Sequence, residues 1–290
     1  MTGFTDPDQN LDQSVVHLTK HHGWGNDFLV VDVTRPGTLP SGTSMSDLAR
    51  VWCDRRTGVG ADGLLFLEIR SSSELGMILV NADGSRAEMS GNGIRCLVQA
   101  AHRVIGSGQR QSAWPVRYSV ETEGGTRIVD VLGPELDGVL PLSVDMGFVE
   151  QIAPPETWSS LGCHDDRPVR HVSLGNPHAV VGVDDVEAVD LVALGEKIPT
   201  VNLEIIEPGP EPDAVTMRVH ERGAGLTMAC GTGACAAAEA ALAWGLVPSS
   251  VSEVRVHMPG GEARVHIDAS TKRAILTGPA QFVASIMVSV

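Results

Sequence analysis

Short apolar runs bounded by glycine or charge set the pattern of this chain. "VVHLTKHHG" (15–23) and "NDFLVVDV" (26–33) have the length and composition of β-strands. "DGLLFLEI" (62–69) and "GMILVNADG" (76–84) follow a helical stretch near residues 45–56 and read as strands as well. Over 92–105 the spacing changes: Ile94, Leu97, Val98, Ala101 and Ile105 fall on one stripe of an amphipathic helix, which Gly106 would end. "VRYSVETEGGTRIVDVLG" (116–133) alternates on either side of Gly124-Gly125 and predicts a hairpin.

The second half replays this order. "GNPHAVV" (175–181) echoes "GNDFLVV" (25–31) at a distance of 150 positions. The helix expected after Cys230 lies 140 positions after the one behind Ser90, and a second hairpin turning at Gly260-Gly261 lies 136 positions after the first. A shrinking offset is what a duplicated unit with shorter loops in its second copy produces. The fold class predicted is α+β: two pseudo-symmetric units, each a mostly antiparallel sheet wrapped around a central helix. "ACAAAEAALAW", apolar nearly all round, fits such a core helix. The expected division is a disordered tail over 1–14, an N-terminal unit over 15–145 completed by the returning segment 278–290, and a C-terminal unit over 146–277.

A chain of 290 residues is long enough for two such units, and a mean hydropathy near zero describes an ordinary globular protein. No apolar run reaches the length of a membrane span, and the polar start argues against a secretory signal. The net charge of −15 argues against nucleic acid or an anionic membrane surface as partner, while leaving room for an anionic small molecule at a local positive site. Five cysteines without C-x-x-C spacing read as reduced cytoplasmic thiols. His17, His21 and His22 form the one local histidine cluster, read as a polar strand end rather than a zinc site, so no metal is expected. The only lysines are Lys20, Lys197 and Lys272, none in a glycine-rich or strand-end context, which disfavours a pyridoxal-phosphate enzyme.

The chemistry concentrates in "NADGSRAEMSGNGIRC" (81–96) and "TMACGTGACAAAEAA" (227–241), each a small nucleophilic residue, then Gly-x-Gly, then a helix. A residue at that point meets unpaired N–H groups and the positive end of the helix dipole. A cysteine there is expected to have its pKa lowered toward neutrality, and the glycines let the same N–H groups approach a carboxylate. Two such ends facing one cleft suit a reaction in which one group takes a proton from a carbon and another delivers one to its opposite face. Neither G-x-G-x-x-G nor G-x-x-x-x-G-K-[ST] is present, so nucleotide binding is not indicated.

From about Val15 onward the sequence resembles the diaminopimelate epimerases, through "GNDFLVVD", "CDRRTGVGADG", "NADGSRAEMSGNGIRC", "GNPHAV", "VNLEII", "VHERGAGLTMACGTGACA" and "LTGPA". The resemblance implies a homodimeric enzyme that interconverts LL- and meso-2,6-diaminopimelate without a cofactor, on the route to lysine and peptidoglycan. It makes Cys230 one thiol of the acid/base pair, puts Ser90 at the position of the other, and makes His178 and Glu221 their assistants in proton transfer. Asn26, Asn81, Asn176, Asn202 and Arg222 match substrate-holding positions, and the backbone of Gly91-Asn92 and Gly231-Thr232 would bind the reacting carboxylate. Against these roles stand plainer ones: Asn26 and Asn176 as turn residues, His178 as a core histidine, Glu221-Arg222 as a surface ion pair. Cys96 and Cys235, inside the helices, read as packing. Ser90 departs from the family, whose members carry cysteine there. Three readings follow: a cysteine-to-serine form made to be inactive, which the otherwise intact motifs favour; a non-catalytic amino-acid binder; and a racemase-related lyase or dehydratase.

Overall fold

The computed structural model describes residues 15–39, 42–106 and 113–289, so the tail expected over 1–14 lies outside the described residues. Strand and helix alternate through the chain in the same order twice. In the first half Val15–Gly23 pairs antiparallel with Asn26–Asp32, which runs parallel to Gly63–Ile69, itself antiparallel to Glu74–Asn81. The last of these runs parallel to Val116–Thr122, which forms a hairpin with Gly125–Val131, and Val139–Phe148 closes the set. In the second half Val169–Ser173, Pro177–Gly182, Asn202–Pro208, Ala214–Glu221, Val254–Met258, Gly261–Ile267 and Arg273–Ser289 repeat each step with the same sense.

The last strand ties the halves together. Its residues 274–277 pair with the second hairpin, 273–281 with Val139–Phe148, and 281–289 with Val15–Gly23. Reciprocally, Glu150–Gln151, just beyond Val139–Phe148, pairs with Val169–Ser173 of the second half. The hairpins turn one residue earlier than the Gly-Gly pairs suggested: Thr122 opposes Gly125 and Met258 opposes Gly261, so Glu123-Gly124 and Pro259-Gly260 form the tips.

Four α-helices complete the described residues: α1 (Met45–Trp52), α2 (Gly91–Gly106), α3 (Leu191–Gly195) and α4 (Gly231–Trp244). Alternate residues of the strands, such as Leu140, Leu142, Val144 and Met146, point inward at the two-residue period of a pleated sheet. They pack on α2 and α4, whose first eleven residues are buried almost without a break. α2 is therefore not amphipathic in use. Its polar Arg95 and Gln99 are enclosed too: Gln99 donates to the Gly138 carbonyl and meets His21, and Arg95 donates to the Gly91 and Pro279 carbonyls and to Asn92 Oδ1. Smaller apolar clusters cover the outer faces, under α1 in the first half and under α3 in the second. No helix among the described residues is long and apolar enough to cross a membrane.

Candidate active site

The two Gly-x-Gly segments meet where α2 and α4 begin. A Cβ added to Gly231 would stand 3.4 Å from Gly91 Cα and 3.0 Å from Leu276 Cδ2, so the two helix starts touch through their glycines. Asn92, in the first turn of α2, donates across the gap to the Ala229 carbonyl at 3.4 Å. Ser90 and Cys230, each one residue before its helix, thus flank this contact from opposite halves. They make the same local bond: Gly93 N–H donates to Ser90 Oγ at 3.0 Å, and Gly233 N–H to Cys230 Sγ at 3.4 Å. Each side chain caps its helix, leaving the earlier N–H groups at Gly91-Asn92 and Gly231-Thr232 without partners inside the helix.

Around Cys230 the second half gathers titratable groups. His178 Nδ1 lies 2.6 Å from Glu204 Oε1, and its Nε2 lies 3.1 Å from Asn176 Oδ1. Asn176 in turn donates to the Thr232 hydroxyl at 3.3 Å, and that hydroxyl is 3.4 Å from Cys230 Sγ. Glu221 accepts from the Thr227 hydroxyl. Cys230 is 5% exposed. Burial pushes it well above the ordinary thiol range, the charge of Glu221 pushes the same way, as does that of Glu204 whenever it is ionised, and the donors Thr232 and Gly233 oppose them. The lowered value expected from the helix end alone is thus reversed, because local N–H donors are outweighed by desolvation and two carboxyl groups.

The first half presents neutral groups. Asn26 donates to Asp62 at 2.7 Å and accepts from Asn92 at 3.0 Å, and Asn81 donates to Ser85 at 3.0 Å. Arg55 bridges Asp27 and Asp62, and Lys20 also pairs with Asp27, holding the Asn26 corner from behind. In the register, Phe28 opposes Gly63 as His178 opposes Asn202, and Val30 opposes Leu65 as Val180 opposes Glu204. Phe28 and Leu65 therefore occupy the places of His178 and Glu204.

The remaining expected residues divide by environment. Asn202 is buried and bonded to backbone at both ends, donating to the Pro177 carbonyl at 3.2 Å and accepting from Arg222 N–H at 2.9 Å. It holds the start of the Arg222 turn in place. The Arg222 side chain is exposed and, among the described residues, makes no hydrogen bond or ion pair, which leaves its guanidinium available to a carboxylate. Cys96 and Cys235 are buried with thiols pushed up to about 12, consistent with packing. His21 faces Gln99 and Thr19 rather than its neighbours His17 and His22. Glu204 escaped the sequence reading. The one signal was an acidic residue inside the apolar run of Leu203, Ile205 and Ile206.

Solved structures share this architecture at low identity. A PhzF-family phenazine biosynthesis protein from Bacillus anthracis matches with a TM-score of 0.68 and 14% identity over 95% of this chain and 99% of its own. A hydroxyproline epimerase from Agrobacterium vitis matches with a TM-score of 0.62 and 18% identity over 95% and 91%. Curated relatives are much nearer in sequence. The diaminopimelate epimerase of Thermosynechococcus vestitus is 36% identical over 92% of this chain and 96% of its own, and that of Desulforapulum autotrophicum is 36% identical over 92% and 97%. The family model described as diaminopimelate epimerase matches residues 18–151 and 170–283, taking in both helix starts, both strand sets and the contact between them. The chain belongs to the diaminopimelate epimerase family.

Proposed function

We propose that this protein is a cofactor-independent isomerase that interconverts LL- and meso-2,6-diaminopimelate by proton transfer at one α-carbon. The observation that carries the reading is the abutting of two equivalent helix starts, capped by Ser90 and Cys230, in a chain of this family. The reacting carboxylate lies on the N–H groups of Gly91-Asn92 and Gly231-Thr232, where two helix dipoles favour negative charge. Its α-carbon then lies between sulfur and hydroxyl. Cys230 takes or returns the proton on one face, with His178 and Glu221 beside it, and Ser90 serves the other. Asn26, Asn81, Asn176 and Asn202 line the cleft, and Arg222 pairs with the distal carboxylate. The reading includes a cytoplasmic homodimer, each chain of which holds a unit of 15–145 completed by 278–290 and a unit of 146–277.

Ser90 slows this reaction. A hydroxyl is a far weaker acid than a thiol, so it stays protonated near pH 7 even at a helix end and is a poor base. The test is proton NMR in deuterium oxide with each isomer separately. Deuterium appearing at the α-carbon, together with the other isomer, supports the reading. Tight binding with neither exchange nor inversion would make the protein an amino-acid binder instead.

A further inference from the structure

Glu204 has no part in the scheme above, yet it is the most enclosed acid beside the thiol. Both Glu204 and His178 are 0% exposed. Glu204 Oε1 is 2.6 Å from His178 Nδ1, while Oε2 is buried with no hydrogen-bond partner. A Cβ on Gly233 would stand 2.8 Å from Oε1, so the carboxyl is wedged under the first turn of α4, the turn that Cys230 caps.

From this carboxyl the hydrogen bonds run in one direction. Asn176 turns its Oδ1, an acceptor, to His178 Nε2, so Nε2 carries a proton. Its Nδ2 donates to Thr232 Oγ1, which leaves the hydroxyl proton of Thr232 for Cys230 Sγ. The proton between Nδ1 and Oε1 belongs either to His178 or to Glu204. An ionised Glu204 would hold a charged Oε2 in an enclosed site without a single donor, the costliest arrangement for a carboxylate. Burial, with Glu221 adding to it and His178 opposing, also raises this carboxyl above the usual carboxylate range.

We propose that Glu204 is a positioning residue for Cys230: as a neutral acid it donates to His178 Nδ1, fixes the Nε2–H tautomer, and through Asn176 and Thr232 aims a hydroxyl donor at the sulfur. This rests on the reading of Cys230 as the reacting base. The donor favours the thiolate form that the reaction needs and offsets part of the desolvation and the repulsion from Glu221. The first half has no counterpart, since Phe28 and Leu65 fill the equivalent positions and Asn26 turns its Nδ2 to Asp62.

Two substrate-free measurements test it, so their failure is separate from failure of the epimerase reading. In 15N-histidine-labelled protein, with His178 assigned from the His178→Gln difference spectrum, the His178 ring should be neutral with its proton on Nε2 near pH 7. An imidazolium signal, or a proton on Nδ1, overturns the proposal. The second measurement is the rate of iodoacetamide alkylation of Cys230, followed by mass spectrometry of its peptide. Glu204→Gln, whose amide also donates, should stay within about twofold of the unmodified protein. Glu204→Leu, which copies Leu65 of the other half, should react about tenfold more slowly at a given pH, because losing one donor to a thiolate shifts its ionisation by roughly one pH unit. Equal rates for the leucine variant, or an equally slow glutamine variant, overturn it. Should the leucine variant not fold, the glutamine variant and the NMR signal decide.

Discussion

Replacing Ser90 by cysteine is the sharpest perturbation of the proposed mechanism. Ser90 and Cys230 make the same capping bond, and a Cβ on Gly93 would stand 3.4 Å from Ser90 Oγ just as one on Gly233 would stand 3.3 Å from Cys230 Sγ. A thiol therefore fits the Ser90 site with the geometry that its counterpart already has. General acid–base terms contribute roughly 10²- to 10⁴-fold, which at about 1.4 kcal/mol per decade is about 2.8–5.6 kcal/mol of barrier. Ser90→Cys should thus raise kcat at least about a hundredfold. Affinity for diaminopimelate should change little, because the proposed carboxylate contacts are backbone N–H groups. The assay is kcat for both proteins under reducing conditions, since the new thiol lies across the cleft from Cys230, with calorimetric affinity measured in parallel. Equal kcat values would refute the reasoning and make the hydroxyl a competent group in its own right.

Three further outcomes follow from other residues. Asn202→Ala leaves the Arg222 N–H and the Pro177 carbonyl without their partner; unfolding free energy should fall by about 1–3 kcal/mol, and diaminopimelate affinity should fall with it, as checked by urea melts and calorimetry. Gly231→Ala gains up to about 1 kcal/mol of helix propensity but overpacks Leu276 and Gly91 at about 1–3 kcal/mol; stability should drop slightly and kcat by tenfold or more, and unchanged kcat would show that the contact between helix starts is not needed. His21 is held neutral by burial, its pKa lowered from 6.5 to about 4. A lowered folded value means that its contribution is complete above about pH 6.5 and is lost as pH falls toward 4. The loss is about 3 kcal/mol, seen as an acid-side fall in the urea midpoint that His21→Gln should flatten.

The duplication, the capping residues and the buried Ala-rich helix were all legible in the sequence, because they depend on local spacing that repeats along the chain. What was not legible depended on enclosure. Arg95 and Gln99 sit on the face of α2 that the periodicity assigned to solvent, but the sheet closes round the whole helix and satisfies both from strands and loops distant in sequence. Glu204 stands in a strand whose pattern alone cannot say that both faces are covered. The same limit reversed the expectation for Cys230. A helix end is a local property readable from "ACGTG", whereas desolvation and the approach of Glu221 and Glu204 arise only when the strands are assembled.

The two halves offer equivalent positions and fill them with unlike chemistry: Cys230, His178, Glu204 and Glu221 on one side, Ser90, Phe28, Leu65 and Asn81 on the other. Inversion at an α-carbon uses both sides in either direction, but with exchanged roles. In the proposed mechanism, when Cys230 removes the proton, Ser90 need only donate one; in the reverse direction Ser90 must act as base, for which a protonated hydroxyl is poorly suited. It would be natural to expect a one-way catalyst. The equilibrium between the isomers is nevertheless fixed by their own free energies, so the ratio of kcat/KM in the two directions cannot depend on which residue stands at position 90. Both directions cross the same transition state, and a barrier raised for one is raised equally for the other. Ser90→Cys should therefore raise kcat/KM for LL- and for meso-diaminopimelate by the same factor, and any asymmetry should appear only in kcat and KM separately, through unequal binding of the isomers. Measuring the four constants for both proteins checks this. A gain in kcat/KM confined to one direction would mean that exchange at one face, not inversion, was being measured.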